Sequence, residues 1–138
     1  MCTLNVSGTE FDVDAFLKTS SWKEIATVFR RGEPTVIKSL RKHSGFKLNL
    51  SHSEETSFEL QIQDVMHFLQ ENNTELERLN VFPHVDEVEI SFCLFWFEDT
   101  VCYPISLPAE LLLMAGKMGI SMMLYVCATS KDDNDLVK

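Results

Sequence analysis

Apolar and polar residues alternate in several short blocks of this chain. Cys2, Leu4 and Val6 alternate with Thr3, Asn5 and Ser7 until Gly8 ends the run, the period of a half-buried strand. Asp12 is placed to cap a short helix over 13–18, with Phe16 and Leu17 turned inward. Ile25–Phe29 reads as a second strand, closed by the turn Arg30-Arg31-Gly32-Glu33-Pro34. A basic loop over 35–45 follows, and then a third strand in which Phe46, Leu48 and Leu50 alternate with Lys47, Asn49 and Ser51. Thr56 and Glu59 fit a capping box, and Phe58, Ile62, Val65 and Leu69 fall on one face of a helix. Asn72-Asn73 interrupts it, and Thr74–Glu77 repeats the capping pattern for a second helix to Leu79.

Val88–Phe97 is the strongest strand pattern, with Val88, Ile90, Phe92, Leu94 and Trp96 on one face. Glu98-Asp99-Thr100 is expected to turn the chain into a strand over Val101–Leu107, where Pro104 would force an edge or a bulge. Pro108 and Gly119 bracket a further helix, Pro at its first position and Gly past its end. Ile120–Cys127 is apolar on both faces, which predicts a central strand covered on both sides, and residues 130–138 form a flexible charged tail. Strands mixed with helices predict one α+β domain over 1–129. Its sheet should be largely antiparallel with helices on one face, in a ferredoxin-like two-layer sandwich.

Charge adds a second pattern. Residues 1–49 carry eight Lys/Arg against five Asp/Glu, whereas residues 50–138 carry four against sixteen, for a net charge of −9. That balance argues against DNA or an anionic membrane as the main partner and for a basic protein surface. Met1 runs into Cys2-Thr3-Leu4-Asn5 without a basic or long apolar leader, and no apolar run approaches the roughly 20 residues of a membrane span. A cytoplasmic location is expected. Cys2, Cys93, Cys102 and Cys127 each lie in apolar surroundings without a CxxC pair, so they are expected to be buried free thiols, not a disulfide framework.

Several of these segments together resemble a known group. The Phe11-Asp12-Val13-Asp14 helix start, the Phe29-Arg30-Arg31-Gly32-Glu33 turn, the Gly45–Ser51 strand and the helix-strand close over 107–125 resemble a bacterial family of single-domain proteins of unknown function. Phe29 and Phe46 depart from its pattern, each standing where Trp is expected. The resemblance implies a fold class and no catalytic residue. In size, charge and architecture the chain also looks like the immunity proteins that accompany bacterial toxins.

No arrangement of residues suggests catalysis. His43, His52, His67 and His84 have no metal-ligand spacing, and GxSxG, Walker and GxGxxG sequences are absent. No cofactor is expected. Two surfaces remain as candidates. One is an aromatic patch with an acidic rim, built from Phe95 and Phe97 with Glu87, Glu89, Glu98 and Asp99, supported by Asp86 and by Glu54, Glu55 and Glu59 at the helix start. Aromatic anchors inside a charged rim suit a protein interface. This predicts an acidic module that binds a basic protein partner, as an immunity protein blocks a nuclease-like toxin. The alternative is an anion-binding or enzymatic pocket beside the basic loop, using Arg30, Arg31, Arg41 and Lys42. A homodimer across Phe95, Phe97 or the Pro104 strand is a third reading.

Overall fold

The strand Cys2–Gly8 (β1) lies at the centre of a five-stranded sheet, and its alternating pattern decides how the two faces are used. The computed structural model describes residues 1–51, 57–97, 102 and 104–129, with the backbone alone at Trp96, Phe97 and Thr129. The helix over Val13–Lys18 (α1) starts where Asp12 Oδ1 accepts the Ala15 N–H at 3.0 Å. Strands Thr27–Phe29 (β2) and Ser44–Asn49 (β3) pair antiparallel, and β3 pairs antiparallel with β1, placing Leu48 beside Leu4 and Phe46 beside Val6. Helices Phe58–Glu71 (α2) and Asn73–Val81 (α3) precede the strand Glu87–Phe97 (β4), which lies antiparallel along the other side of β1. The helix Ala109–Lys117 (α4) then returns the chain to Ser121–Thr129 (β5), which pairs parallel with β4.

The strand order is β2-β3-β1-β4-β5. Its first four members, joined as β-α-β-β-α-β with α2 and α3 sharing one connection, have the ferredoxin-like order expected from the sequence. The unit α4-β5 extends that core by one parallel strand through a helical crossover.

One sheet face carries the core. Leu4, Val6, Phe46, Leu48, Ile90 and Phe92 are buried there beneath Phe16 and Leu17 of α1, Ile62, Val65 and Leu69 of α2, Leu76 and Leu79 of α3, and Leu111 and Ala115 of α4. An aromatic cluster fills the α1 end. Phe16 stacks on Phe46 with ring centroids 5.7 Å apart, Phe82 meets Phe16 edge-on at 5.2 Å, and Trp22 stacks on Phe68 at 5.8 Å. Such pairs add about 0.5–1.5 kcal/mol each beyond the area they bury. The buried Trp22 donates its indole N–H to Asn72 Oδ1 at 3.1 Å. Asn72 is also where α2 ends and α3 begins, so the sequence interruption there separates two helices.

Five expectations are corrected. The second strand begins at Thr27, because residues 21–25 form turns and Ile25 is exposed. The N-cap of α2 is Ser57; Thr56, assigned that role from the sequence, lies outside the described residues. Pro108 caps α4 instead of occupying its first turn. Residues 104–107 form no strand, consistent with a Pro104 that cannot donate to a ladder, and the turn expected at 98–100 lies outside the described residues. The last strand is an edge and not a central strand, since it follows a crossover to the outside of β4, and Met123, Tyr125, Val126 and Cys127 are exposed on it.

Candidate interaction face of the sheet

The face of the sheet opposite the core carries no helix among the described residues. Because side chains alternate, Glu87, Glu89, Ser91, Cys93 and Phe95 of β4 all project onto it. Pairing brings Ser7 beside Glu87, Asn5 beside Glu89 and Thr3 beside Ser91. Asn5 Nδ2 donates to Ser91 Oγ at 3.1 Å, and Ser91 Oγ lies 3.5 Å from the Thr3 carbonyl, so the middle of the face is a hydrogen-bonded polar floor. That floor lies in a shallow depression of about 440 Å³ lined by Thr3, Asn5, Lys47, Glu89, Phe29 and Tyr125.

Phe29 reaches this face because Gly45 has no side chain. A Cβ on Gly45 would fall 1.9 Å from the Val6 carbonyl oxygen and 2.7 Å from Phe29 Cζ. The Phe29 ring therefore lies over the glycine, and the Arg41 guanidinium sits over that ring, 5.1 Å from its centroid. At the other side of the sheet, Met123, Tyr125 and Cys127 continue the same face along β5, with Tyr125 beside Cys93 and Cys127 beside Phe95. Tyr125 is 55% and Met123 42% exposed, whereas Phe95 is half-buried. Along β4 itself the face is acidic at Glu87 and Glu89 and apolar at Phe95, while Lys47 shares a row with Glu89 and Phe29 shares a row with Glu87. Six residues of extended chain, about 20 Å, separate Glu89 from Phe95.

Electrostatics follow from this placement. Partial burial raises the Glu89 carboxyl above its ordinary value, and the neighbouring Glu87 carboxylate and a hydrogen bond with it raise it further. Burial likewise raises the Cys93 thiol, reinforced by Cys127 beside it. The Cys2 thiol is buried and raised for the same first reason. Cys102 and Cys127 are exposed, which corrects the expectation of four buried thiols; Cys127 faces solvent because its strand is an edge.

Of the residues singled out in the acidic interface, Glu87, Glu89 and Phe95 share this open face. Phe97 belongs to the same strand, but its side chain is outside the described positions, as are Glu54, Glu55, Glu98 and Asp99. Glu59 is exposed in the first turn of α2, within the helical layer on the other side of the sheet. Asp86 lies in the turn before β4, where its carboxylate accepts from the Thr9 N–H at 2.9 Å and from the Thr9 hydroxyl at 3.4 Å.

Of the four basic candidates, Arg30 and Arg31 are engaged with acids and Arg41 with a ring. Arg30 holds Asp14 through two hydrogen bonds of 3.0 and 2.7 Å, which lowers the Asp14 carboxyl, and it lies 3.9 Å from Glu33. Arg31 pairs with Glu10 at 3.0 Å. A depression of about 360 Å³ beside them is lined by Glu10, Asp12 and Asp14 as well as by the two arginines, a poor receptacle for an anion. Lys42 is exposed. The loop is ordered by bonds between Gly32 N–H and Arg41 O, Arg41 N–H and Glu33 O, and Thr35 N–H and Ser39 O, and it presents Val36 and Ile37 at an exposed tip.

Two features of the face escaped the sequence reading. The sequence pattern predicts a covered strand for Met123 and Tyr125, and it places Phe29 at a strand end and in the aromatic-basic turn without indicating that it joins this face. The signal for Phe29 was Gly45 on the neighbouring strand, since an aromatic ring commonly lies across a strand glycine. Among the described residues, no group of three or more His, Cys, Asp or Glu side chains is gathered as a metal site would require. No helix among them is long and apolar enough to cross a membrane. No family model, curated protein or solved structure matches the chain, so the resemblances drawn above rest on the motifs, size and charge alone.

Proposed function

We propose that this chain is a protein-binding module whose helix-free sheet face holds a basic protein, in the manner of an immunity protein that blocks a toxin such as a nuclease. The observation that carries the reading is the composition of that face: exposed Tyr125 and half-buried Phe95 toward one end, exposed Met123 beside Ser91 in the middle, and the Glu87 and Glu89 carboxylates at the other end. The aromatic end supplies desolvated contact area, and the carboxylates attract a cationic surface and speed encounter. A cleft that normally receives phosphates would accept such carboxylates in their place and be closed to substrate. The partner side of this account includes a cytoplasmic encounter between the two proteins.

The experiment is capture of the partner from the native host on immobilised wild-type chain and on a Glu87→Lys/Glu89→Lys variant. A basic protein retained by the wild type, lost from the variant and released by salt supports the reading. Retention that ignores both the substitutions and the salt removes it. The competing anion pocket is disfavoured by the engagement of Arg30 with Asp14 and of Arg31 with Glu10.

A further inference from the structure

We propose that β5 is the interface of a homodimer, in which the free edge of Ser121–Thr129 pairs antiparallel with the same edge of a second copy. β5 is a nine-residue strand hydrogen-bonded to β4 alone among the described residues. Among the described residues its outer edge therefore offers a row of unpaired backbone donors and acceptors, which proteins ordinarily shield with lysine, proline, a bulge, a very short strand or a covering segment. None of these protections is present among the described residues. Ser121-Met122-Met123-Leu124-Tyr125-Val126-Cys127-Ala128-Thr129 contains no charge, no proline and no glycine, and its pairing with β4 runs without a bulge from Ser121 to Thr129. The opposite edge shows the contrast: β2 is three residues long and runs directly into Arg30-Arg31.

The occupant is identified by charge. Residues 50–138 carry twelve more acids than bases, yet the stretch from Gly119 to Thr129 within them carries neither. Along the backbone edge of β5 a basic partner finds no carboxylate to recognise; its contacts with Tyr125 and Met123 belong to the helix-free face above the sheet and not to the edge. A second copy finds an identical uncharged strand, along which two chains of net charge −9 meet without opposing like charges. A two-fold axis near Tyr125 satisfies both edges at once, as isologous pairing requires. It sets Tyr125 against Tyr125 and Met123 against Cys127 of the second copy on the helix-free face, and Leu124 against Val126 on the helical side.

The helical layer fits the same axis. Met114 and Lys117 of α4 and the C-cap Met118 face Leu69 and Gln70 of α2 across a cleft, and Leu111 and Ala115 point into the core. At 100° per residue, Leu112 and Gly116 then fall on the flank away from α2, toward the β5 edge. Leu112 is 47% exposed, and a Cβ added at Gly116 would meet nothing within 4 Å. Two such flanks close over the paired strands. The result is one continuous sheet with the helix-free faces side by side, each keeping its Glu87 and Glu89.

The test is the mass in solution, by light scattering and sedimentation equilibrium, of the wild type and of a Tyr125→Lys/Val126→Lys variant. Both side chains are exposed, so the substitutions remove no core packing. The expected result is twice the 15.8 kDa chain mass for the wild type, strengthened by salt that screens the mutual repulsion, and a return to 15.8 kDa in the variant with an unchanged far-UV spectrum. Wild-type hydrogen exchange supplies a reading independent of the variant: β5 amides become protected as concentration rises. A wild type that stays at 15.8 kDa at every concentration overturns the proposal, and so does a dimer that persists in the variant. Salt acts in the opposite sense on capture of a basic partner, so failure of one account is distinguishable from failure of the other.

Discussion

Glu89 stands directly opposite Asn5 on the sheet face that carries no helix, with Glu87 two residues away on the same strand and the same face. Two carboxylates held this close, one of them partly buried, oppose their joint ionisation. Partial burial first, and the neighbouring Glu87 carboxylate second, raise the Glu89 carboxyl above its ordinary value of 4.5. In the folded chain it keeps its proton to higher pH than in the unfolded chain. The stability associated with the protonated form is fully present below 4.5 and is lost as pH rises through the raised value. Glu89→Gln is expected to raise the thermal midpoint at neutral pH and to leave it unchanged in acid. Solvent screening keeps the gain to about 0.5 kcal/mol or less. Thermal unfolding of both proteins across that pH range checks the sign.

The depression flanked by Phe29 depends on an absent side chain. Gly45→Ala would push a methyl group into the Val6 carbonyl and the Phe29 ring, so the β1–β3 pairing must open there and the Phe29 ring must shift as well. The expected cost exceeds about 2 kcal/mol, with the Arg41 stacking lost at the same time. Chemical denaturation measures the first effect. The chemical shifts of the Phe29 ring measure the second.

Arg78 of α3 ties the helical layer to α1. Its guanidinium lies over the Phe16 ring, 4.1 Å from the centroid, and it donates to the Phe16 carbonyl at 2.7 Å, to Thr19 Oγ1 at 2.9 Å and to Glu75. Phe16→Ala removes the ring beneath it from the fully buried centre of the aromatic cluster and is expected to cost about 3–5 kcal/mol in urea unfolding. Arg78→Lys keeps the charge but neither the fork nor the planar stacking, and is expected to destabilise by about 1–2 kcal/mol.

Inorganic phosphate and nucleotides are expected to leave the thermal midpoint unchanged, because Arg30 and Arg31 are held by Asp14 and Glu10. The Asp14→Asn/Glu10→Gln variant releases both cations and is expected to gain a weak, salt-sensitive response to phosphate. A wild-type response as large as the variant's would show that the loop binds anions as it stands.

Local signals were legible in the sequence where a single segment decides the outcome. The alternation over 2–8 predicted β1 and its buried face, Asp12 predicted the start of α1, and the period-2 pattern over 88–97 placed Glu87, Glu89 and Phe95 on one face. What failed depends on the neighbours a segment acquires. Ile120–Cys127 is apolar on both faces whether it lies inside a sheet or at its edge; only the crossover through α4 places it outside β4 and exposes Tyr125. The basic character of 30–42 was equally plain, yet Arg30 and Arg31 find acids from the α1 region that are distant in sequence, Asp14 and Glu10. Gly45 within a strand signals the close approach of a neighbour, but only the β2–β3 register identifies that neighbour as Phe29.

The central claim is that the helix-free face recruits a basic protein through its carboxylate end. Its most direct test is the association rate of the captured partner with wild-type chain and with Glu87→Lys/Glu89→Lys, followed as ionic strength rises. The account predicts a wild-type rate that falls steeply with salt and a variant slower by about tenfold or more at low salt, the two converging at high salt. A rate indifferent both to salt and to the reversal of the two charges would contradict it.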